Sequence, residues 1–141
     1  MPFMPIDSEH FLDIYAKALN SFDPKNIASF CLPPTIIMSD KRKKVMTSEE
    51  QLEHAFIRIF AKFNQAGIKK FVPKLQQTMR LSDTLFFSKM RWQFFDEQDQ
   101  LCFGCATSYS LQKMPDKQLK IIVAVIDDDE NKLANIFNLV E

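Results

Sequence analysis

The stretch TSEEQLEHAFIRIFAKFNQAGIKKFVPKLQQTMRL, residues 47–81, changes its hydrophobic period halfway along. Before Gly67 the apolar residues Leu52, Ala55, Phe56, Ile59, Phe60 and Phe63 recur every three or four positions, the spacing of one helical face. Thr47 with Glu50 three residues later forms a capping-box pattern that opens this helix, and Gly67 supplies its C-terminal cap. Beyond Gly67 the period becomes two and stays two. Lys70 to Leu81, Thr84 to Phe95, Leu101 to Gln112 and Gln118 to Ile126 alternate, separated by turn-forming Ser82-Asp83, residues 96–99 and residues 114–117. The pattern predicts one long helix followed by an antiparallel meander of four long strands.

Upstream, Phe11, Ile14, Tyr15, Ala18, Leu19 and Phe22 define an amphipathic helix over residues 8–22, with Asp7 or Ser8 as its N-cap. Asp23-Pro24 restarts helical geometry, and Ile27, Phe30 and Cys31 suggest a short second helix that Pro33-Pro34 ends. Residues 35–39 read as a short β-branched strand entering a turn at residues 40–44. Downstream, Leu133, Ile136, Phe137 and Val140 share one face of a predicted C-terminal helix. Helices first and strands later is the α+β pattern, a curved, mainly antiparallel sheet wrapped around the long helix. No repeat, linker or low-complexity tract divides the chain, so residues 1–141 are expected to form a single domain.

Bulk chemistry narrows the function classes. Eighteen basic and eighteen acidic residues leave no global field to draw nucleic acid or anionic lipid. No apolar run is long enough to span a bilayer, and the first ten residues lack a signal-peptide pattern; the expected location is cytoplasmic. Three cysteines, an odd number, fit a reducing compartment better than a disulfide framework. Cys102 and Cys105 match C-x-x-C, yet have no second pair to complete a zinc site, and buried thiols are the plainer reading. No metal or cofactor is expected. The run of four cations at residues 41–44 reads as a solvated loop.

The helix pair Tyr15-Ala-Lys-Ala-Leu-Asn20 with Asp23 and Ile27, and the strands Thr107-Ser-Tyr-Ser-Leu111 and Leu119-Lys-Ile-Ile-Val-Ala124, resemble the nuclear transport factor 2-like superfamily. This is the cystatin-like α+β cone of ketosteroid isomerases and SnoaL-like polyketide cyclases, and the similarity covers nearly the whole chain. The resemblance implies an apolar pocket between the concave sheet face and the helices, and a homodimer formed through the convex face. Alternation supports both expectations. Phe86, Ser88, Met90, Trp92 and Phe94 form one face of their strand, and Leu101, Phe103, Cys105, Thr107, Tyr109 and Leu111 one face of the next. The opposite face of the latter is small, with Gly104, Ala106, Ser108 and Ser110.

Pocket-lining candidates are therefore Tyr15, Met38, Phe56, Phe60, Met90, Trp92, Phe103, Thr107 and Tyr109. Tyr15 falls where the isomerases' oxyanion-stabilising tyrosine falls; its hydroxyl needs a partner, whether a ligand carbonyl, a pocket water or a backbone carbonyl. The isomerases' general base falls near Met38 and their second acidic donor near Thr107, and neither residue type replaces those groups. Asp40 has the strand parity of Met38, which would lean it into the pocket mouth, but it also begins a turn beside four cations, where a turn-capping, partly ion-paired carboxylate is the plainer reading. Two readings follow: a non-catalytic domain that binds a small apolar ligand or serves as a scaffold, and an isomerase-like enzyme using Tyr15 and Asp40 for proton transfer. A partner-binding adaptor is a third, marked by an exposed apolar patch on the dimer. His10 and His54 lie off the apolar faces and add no acid–base pair.

Overall fold

Helix boundaries follow from local chemistry. The computed structural model describes residues 4–40 and 42–127, with side chains from Ser8 onward. Helix α1 (Met4–Asn20) starts earlier than the expected Asp7 or Ser8 cap, and Pro5 sits in its first turn, where a missing N–H costs no hydrogen bond. Ser8 is thereby carried into the helix body and buried. Helix α2 (Pro24–Ala28) is capped by Asp23, whose carboxylate accepts from the N–H groups of Lys25 and Asn26 at 3.2 and 3.3 Å. It ends before Phe30 and Cys31, which the helical reading had included; Cys31 opens strand β1 (Cys31–Met38).

Phe22, between α1 and α2, adopts φ 54°, a left-handed conformation that non-glycine residues rarely take. Its ring lies 5.1 Å from that of Phe60 and 5.4 Å from that of Phe71, so packing offsets the backbone strain.

The next strand was not legible in the sequence. Residues 43–44 lie not in a loop but in strand β2 (Lys43–Met46), which pairs with β1 across a tight turn closed by Ser39 and Arg42. The Pro33-Pro34 pair falls inside β1, in a stretch where the pairing of β1 with the last strand skips from Cys31 to Ile36, so no inter-strand bond to that strand is lost there.

Helix α3 (Glu49–Gln65) is capped one residue later than expected. Ser48 Oγ accepts from Gln51 N at 3.1 Å, while Gln51 Oε1 accepts from Thr47 N at 2.8 Å. At its far end Gly67, at φ 83°, lets Ile68 N–H reach Phe63 O at 2.9 Å, and buried Ile68 closes the cap.

Strands β3 (Lys70–Arg80), β4 (Leu85–Phe95), β5 (Leu101–Lys113) and β6 (Leu119–Asp127) form the expected antiparallel meander. The sheet has six strands in the order β2-β1-β6-β5-β4-β3, with β1 parallel to β6 and every other pair antiparallel. It is curved and unclosed, and the fold is α+β of the cystatin-like kind. The concave side packs on the helices through two aromatic groups. Phe63, Phe71 and Phe94 meet at 5.2–5.4 Å between centroids, and Tyr15 stands 5.7–6.3 Å from Phe30, Tyr109 and Trp92.

Alternation in β4 holds over its whole length: Phe86, Ser88, Met90, Trp92 and Phe94 are all buried. In β5 it breaks at one end. Phe94 pairs with Phe103 but Phe95 with Leu101, so the skipped Cys102 moves Leu101 to the outer face, where it is 58% exposed.

Asn20, the last residue of α1, fastens that helix to the edge strand β3. Its amide donates to Ala16 O at 2.9 Å and to Phe71 O at 3.0 Å, and its oxygen accepts from Phe71 N at 2.8 Å. The side chain thus pairs with Phe71 as a neighbouring strand would. The helix predicted around Leu133, Ile136, Phe137 and Val140 lies outside the described residues. Among the described residues no helix is long and apolar enough to cross a membrane.

Candidate functional site

Between α1, α3 and the concave sheet face lies a cavity of about 100 Å³. Tyr15, Phe56, Trp92, Thr107 and Tyr109 line it, together with residues that alternation alone had not assigned to it: Cys31, Thr35 and Ile37 of β1 and Ile121, Ala124 and Ile126 of β6. Four of the sequence-derived candidates stand elsewhere. Met38 has the opposite strand parity from Ile37 and belongs to the outer face. Phe60 is buried against Phe22 and Phe56, Met90 is buried within the sheet–helix layer, and Phe103 lies beside the β5 irregularity. Their places are taken by Ile59, Phe63 and Phe94, which the same helical and strand stripes contain.

The polar groups of the cavity are few and partnered. Trp92 Nε1 donates to Tyr109 Oη at 3.0 Å in a fully buried contact. Burial pushes the Tyr15 hydroxyl well above the ordinary tyrosine range, and the adjacent Tyr109 raises it further. Burial likewise raises Tyr109, although the Trp92 indole donor opposes the shift. Cys31 is pushed up to about 12 from 9.0, again by burial, partly offset by Lys120. All three groups are neutral at pH 7, so the cavity offers O–H donors and a thiol and no base. No Asp, Glu, His, Lys or Arg is among the described lining residues. Asp40 lies beyond the end of β1, exposed, and does not reach the cavity. The structure therefore does not bring Tyr15 and Asp40 together. Among the described residues no three His, Cys, Asp or Glu side chains converge as a metal site.

These shifts set a pH dependence. Each group binds its proton more tightly folded than unfolded, so its contribution to stability is complete below its unfolded value and is lost as pH rises toward its folded one. Stability is expected to hold to about pH 9 and then to fall, by ~1.4 kcal/mol per pH unit for each group whose window is entered. Cys31 acts between 9.0 and about 12, and the two tyrosines above 10.0. Urea unfolding of Cys31→Ala across pH 8–11 should show a shallower fall than the parent chain. Parallel curves would mean that the thiol titrates freely in the folded state.

A second and larger cleft, about 570 Å³, lies between the first half of α1, the α2–β1 junction and the β5–β6 hairpin. Its lining includes His10, Lys113, Lys117 and Lys120, none of which the strand and helix periods single out.

Solved structures with the same fold are numerous. Aln2 from a Streptomyces species superposes with a TM-score of 0.73 at 13% identity, covering 96% of this chain and 97% of that one. A ketosteroid isomerase-like protein from Erwinia carotovora atroseptica gives 0.68 at 11%, covering 86% and 93%. A protein from Catenulispora acidiphila, solved in complex with S-DNPA, gives 0.69 at 10%, covering 93% and 97%. At these identities the likeness establishes the fold alone. No curated protein matches the sequence. The model of one family, described as NTF2-like protein (DUF6841), matches residues 7–129, and this chain belongs to that family.

Proposed function

We propose that the domain is a non-catalytic, homodimeric binding module whose inner cavity accepts an apolar molecule no larger than a benzene-sized fragment. The observation that carries this reading is the chemistry of the cavity wall. It is almost wholly apolar, its phenols are held neutral, and nothing in it can abstract a proton. About 100 Å³ is below the ~300 Å³ at which ordinary small-molecule sites begin, because aromatic rings fill much of the cone. The Catenulispora acidiphila neighbour, in complex with S-DNPA, supports ligand binding as a use of this fold. Three free cysteines support a reducing, cytoplasmic setting for the module.

The dimer is proposed on the convex face. Cross-strand pairing places Met79, Phe87, Ser110, Val123, Ile36 and Val45 in one row across all six strands, mostly apolar and with both ends exposed. Next to it Val125, 38% exposed, pairs with Ser108 and Met38. Ala106 is a poorer probe of this face, since it is already buried in the single chain. A Cβ at Gly104 would meet only the far end of the Arg91 side chain, at 2.9 Å. Val125→Arg should convert the dimer to monomer by light scattering, with folding unchanged by circular dichroism. Benzene should quench Trp92 fluorescence saturably while a steroid-sized ligand does not. A persistent dimer would remove the convex face from the proposal, and saturable binding of the larger ligand would remove the size limit.

A further inference from the structure

The larger cleft has the opposite chemistry from the inner cavity. Phe11, Phe30, Phe86 and Leu119 give it an apolar wall, while Lys113, Lys117 and Lys120 bring three cations to it from one hairpin. No acidic residue is among its described lining residues. The nearest carboxylates in sequence are otherwise placed: Asp116 accepts from Gln118 N at 3.0 Å within the hairpin turn, and Glu9 and Asp13 are exposed on α1. None of the three lysines forms an ion pair with a described residue.

Three features mark this as more than a solvated basic edge. Ser8, 1% exposed, lines the cleft, and its hydroxyl has no hydrogen-bond partner among the described residues. Buried hydroxyls are seldom left so, and an unpaired one is a natural counterpart for a ligand oxygen. Lys117 adopts φ 72° in the hairpin, at a position where glycine or asparagine carries less strain. Lys120 is held across the opening, its Nζ donating to Ser29 O at 2.6 Å at the C-terminal end of α2.

We propose that this cleft binds a small amphipathic anion, a carboxylate or phosphate carried on a compact apolar body. The head meets the lysines and the Ser8 hydroxyl, and the body lies against Phe11, Phe30 and Phe86. A concave, apolar-walled volume of about 570 Å³ suits such a molecule better than an extended polyanion, and the chain as a whole carries no net charge to hold one.

The test is a titration of the full-length, isotope-labelled chain followed by amide NMR shifts, with phenyl phosphate, phenylacetate, inorganic phosphate and benzyl alcohol as separate probes. Phenyl phosphate or phenylacetate should shift amides of residues 113–120 and of Ser29 saturably, with Kd of about 1 mM for so small a probe. The tighter of the two identifies the head group. Inorganic phosphate and benzyl alcohol, each lacking half of the recognised chemistry, should bind at least about 5-fold more weakly. Lys117→Gly relieves the left-handed strain, so it should keep or raise the melting temperature while weakening the better probe about 3–10-fold. Ser8→Ala should likewise fold, because alanine suits a helix and removes the unpaired hydroxyl, yet weaken binding about 3-fold. The proposal fails if neither aromatic anion shifts the hairpin amides saturably, or if both variants bind as the parent does. It also fails if anionic phospholipid vesicles bind the chain and the soluble anions do not.

Discussion

Asn20→Ala is expected to lower the unfolding free energy by about 2–3 kcal/mol, although the residue is polar and lies at a helix end. The reason is its triple hydrogen bond, to Ala16 O and to both backbone groups of Phe71. Strand β3 is the edge of the sheet, so Phe71 has β4 on one side and the Asn20 amide standing in for a strand on the other. Removing the side chain leaves that N–H and C=O to find water beside the packed Phe71 ring, which is 2% exposed. For a domain of this size the loss corresponds to a fall in Tm of roughly 10 °C. Asn20→Asp separates hydrogen bonding from shape. A carboxylate still accepts from Phe71 N–H but sets negative oxygen against two carbonyls, so this near-isosteric change should cost at least as much as alanine. If Asn20→Asp melts with the parent chain, the amide is not the fastener described above.

Phe94→Ala is expected to cost about 4 kcal/mol and, in the same variant, to widen what the inner cavity accepts. Phe94 is 5% exposed, lines the cavity, and packs at 5.4 Å from Phe63 and 5.2 Å from Phe71. Its loss removes ring–ring contacts and leaves a void that its neighbours fill only in part. Apolar voids of this kind stay dry and take up apolar guests. Naphthalene should therefore raise the Tm of Phe94→Ala and leave that of the parent unchanged. A stabilising effect on both proteins would mean that the parent cavity opens further than its resting volume, and no effect on either would mean that the void collapses.

The sequence made the fold legible because its periods were long and clean. Five apolar residues of α3 face inward as their spacing required, and β4 alternates over eleven residues. Legibility failed where pairing overrides period. The four residues of β2, with only Met46 buried, are too few and too charged to show alternation, and the pairing gap around Pro33-Pro34 hides the start of β1. Register shifts at Leu75–Gln77 and at Ser110–Leu111 change which residues face inward without any mark in the hydrophobic pattern. Part of the cavity was readable all the same: Tyr15, Phe56, Trp92, Thr107 and Tyr109 follow from single-element stripes. The wall supplied by β1 and β6 was not, since it depends on a parallel pairing between segments some ninety residues apart. Asp40 shows the same limit from the other side. Met38 belongs to the outer face, an assignment that comes from the sheet rather than from the segment, and Asp40 itself lies past the end of β1 with no strand partner among the described residues.

The cavity beneath the helices holds neutral hydrogen-bond donors and, among its described lining residues, no base. The most direct test of this is to incubate the purified chain with a β,γ-unsaturated ketone and follow the ultraviolet absorption of the conjugated product. A missing general base alone forfeits about 10²–10⁴-fold in rate, so the conversion should match that of buffer and be unchanged in Asp40→Asn and Tyr15→Phe. Saturable turnover abolished by either substitution would overturn this, because it would place a working acid–base pair where the structure shows neutral phenols and an exposed carboxylate outside the cavity lining.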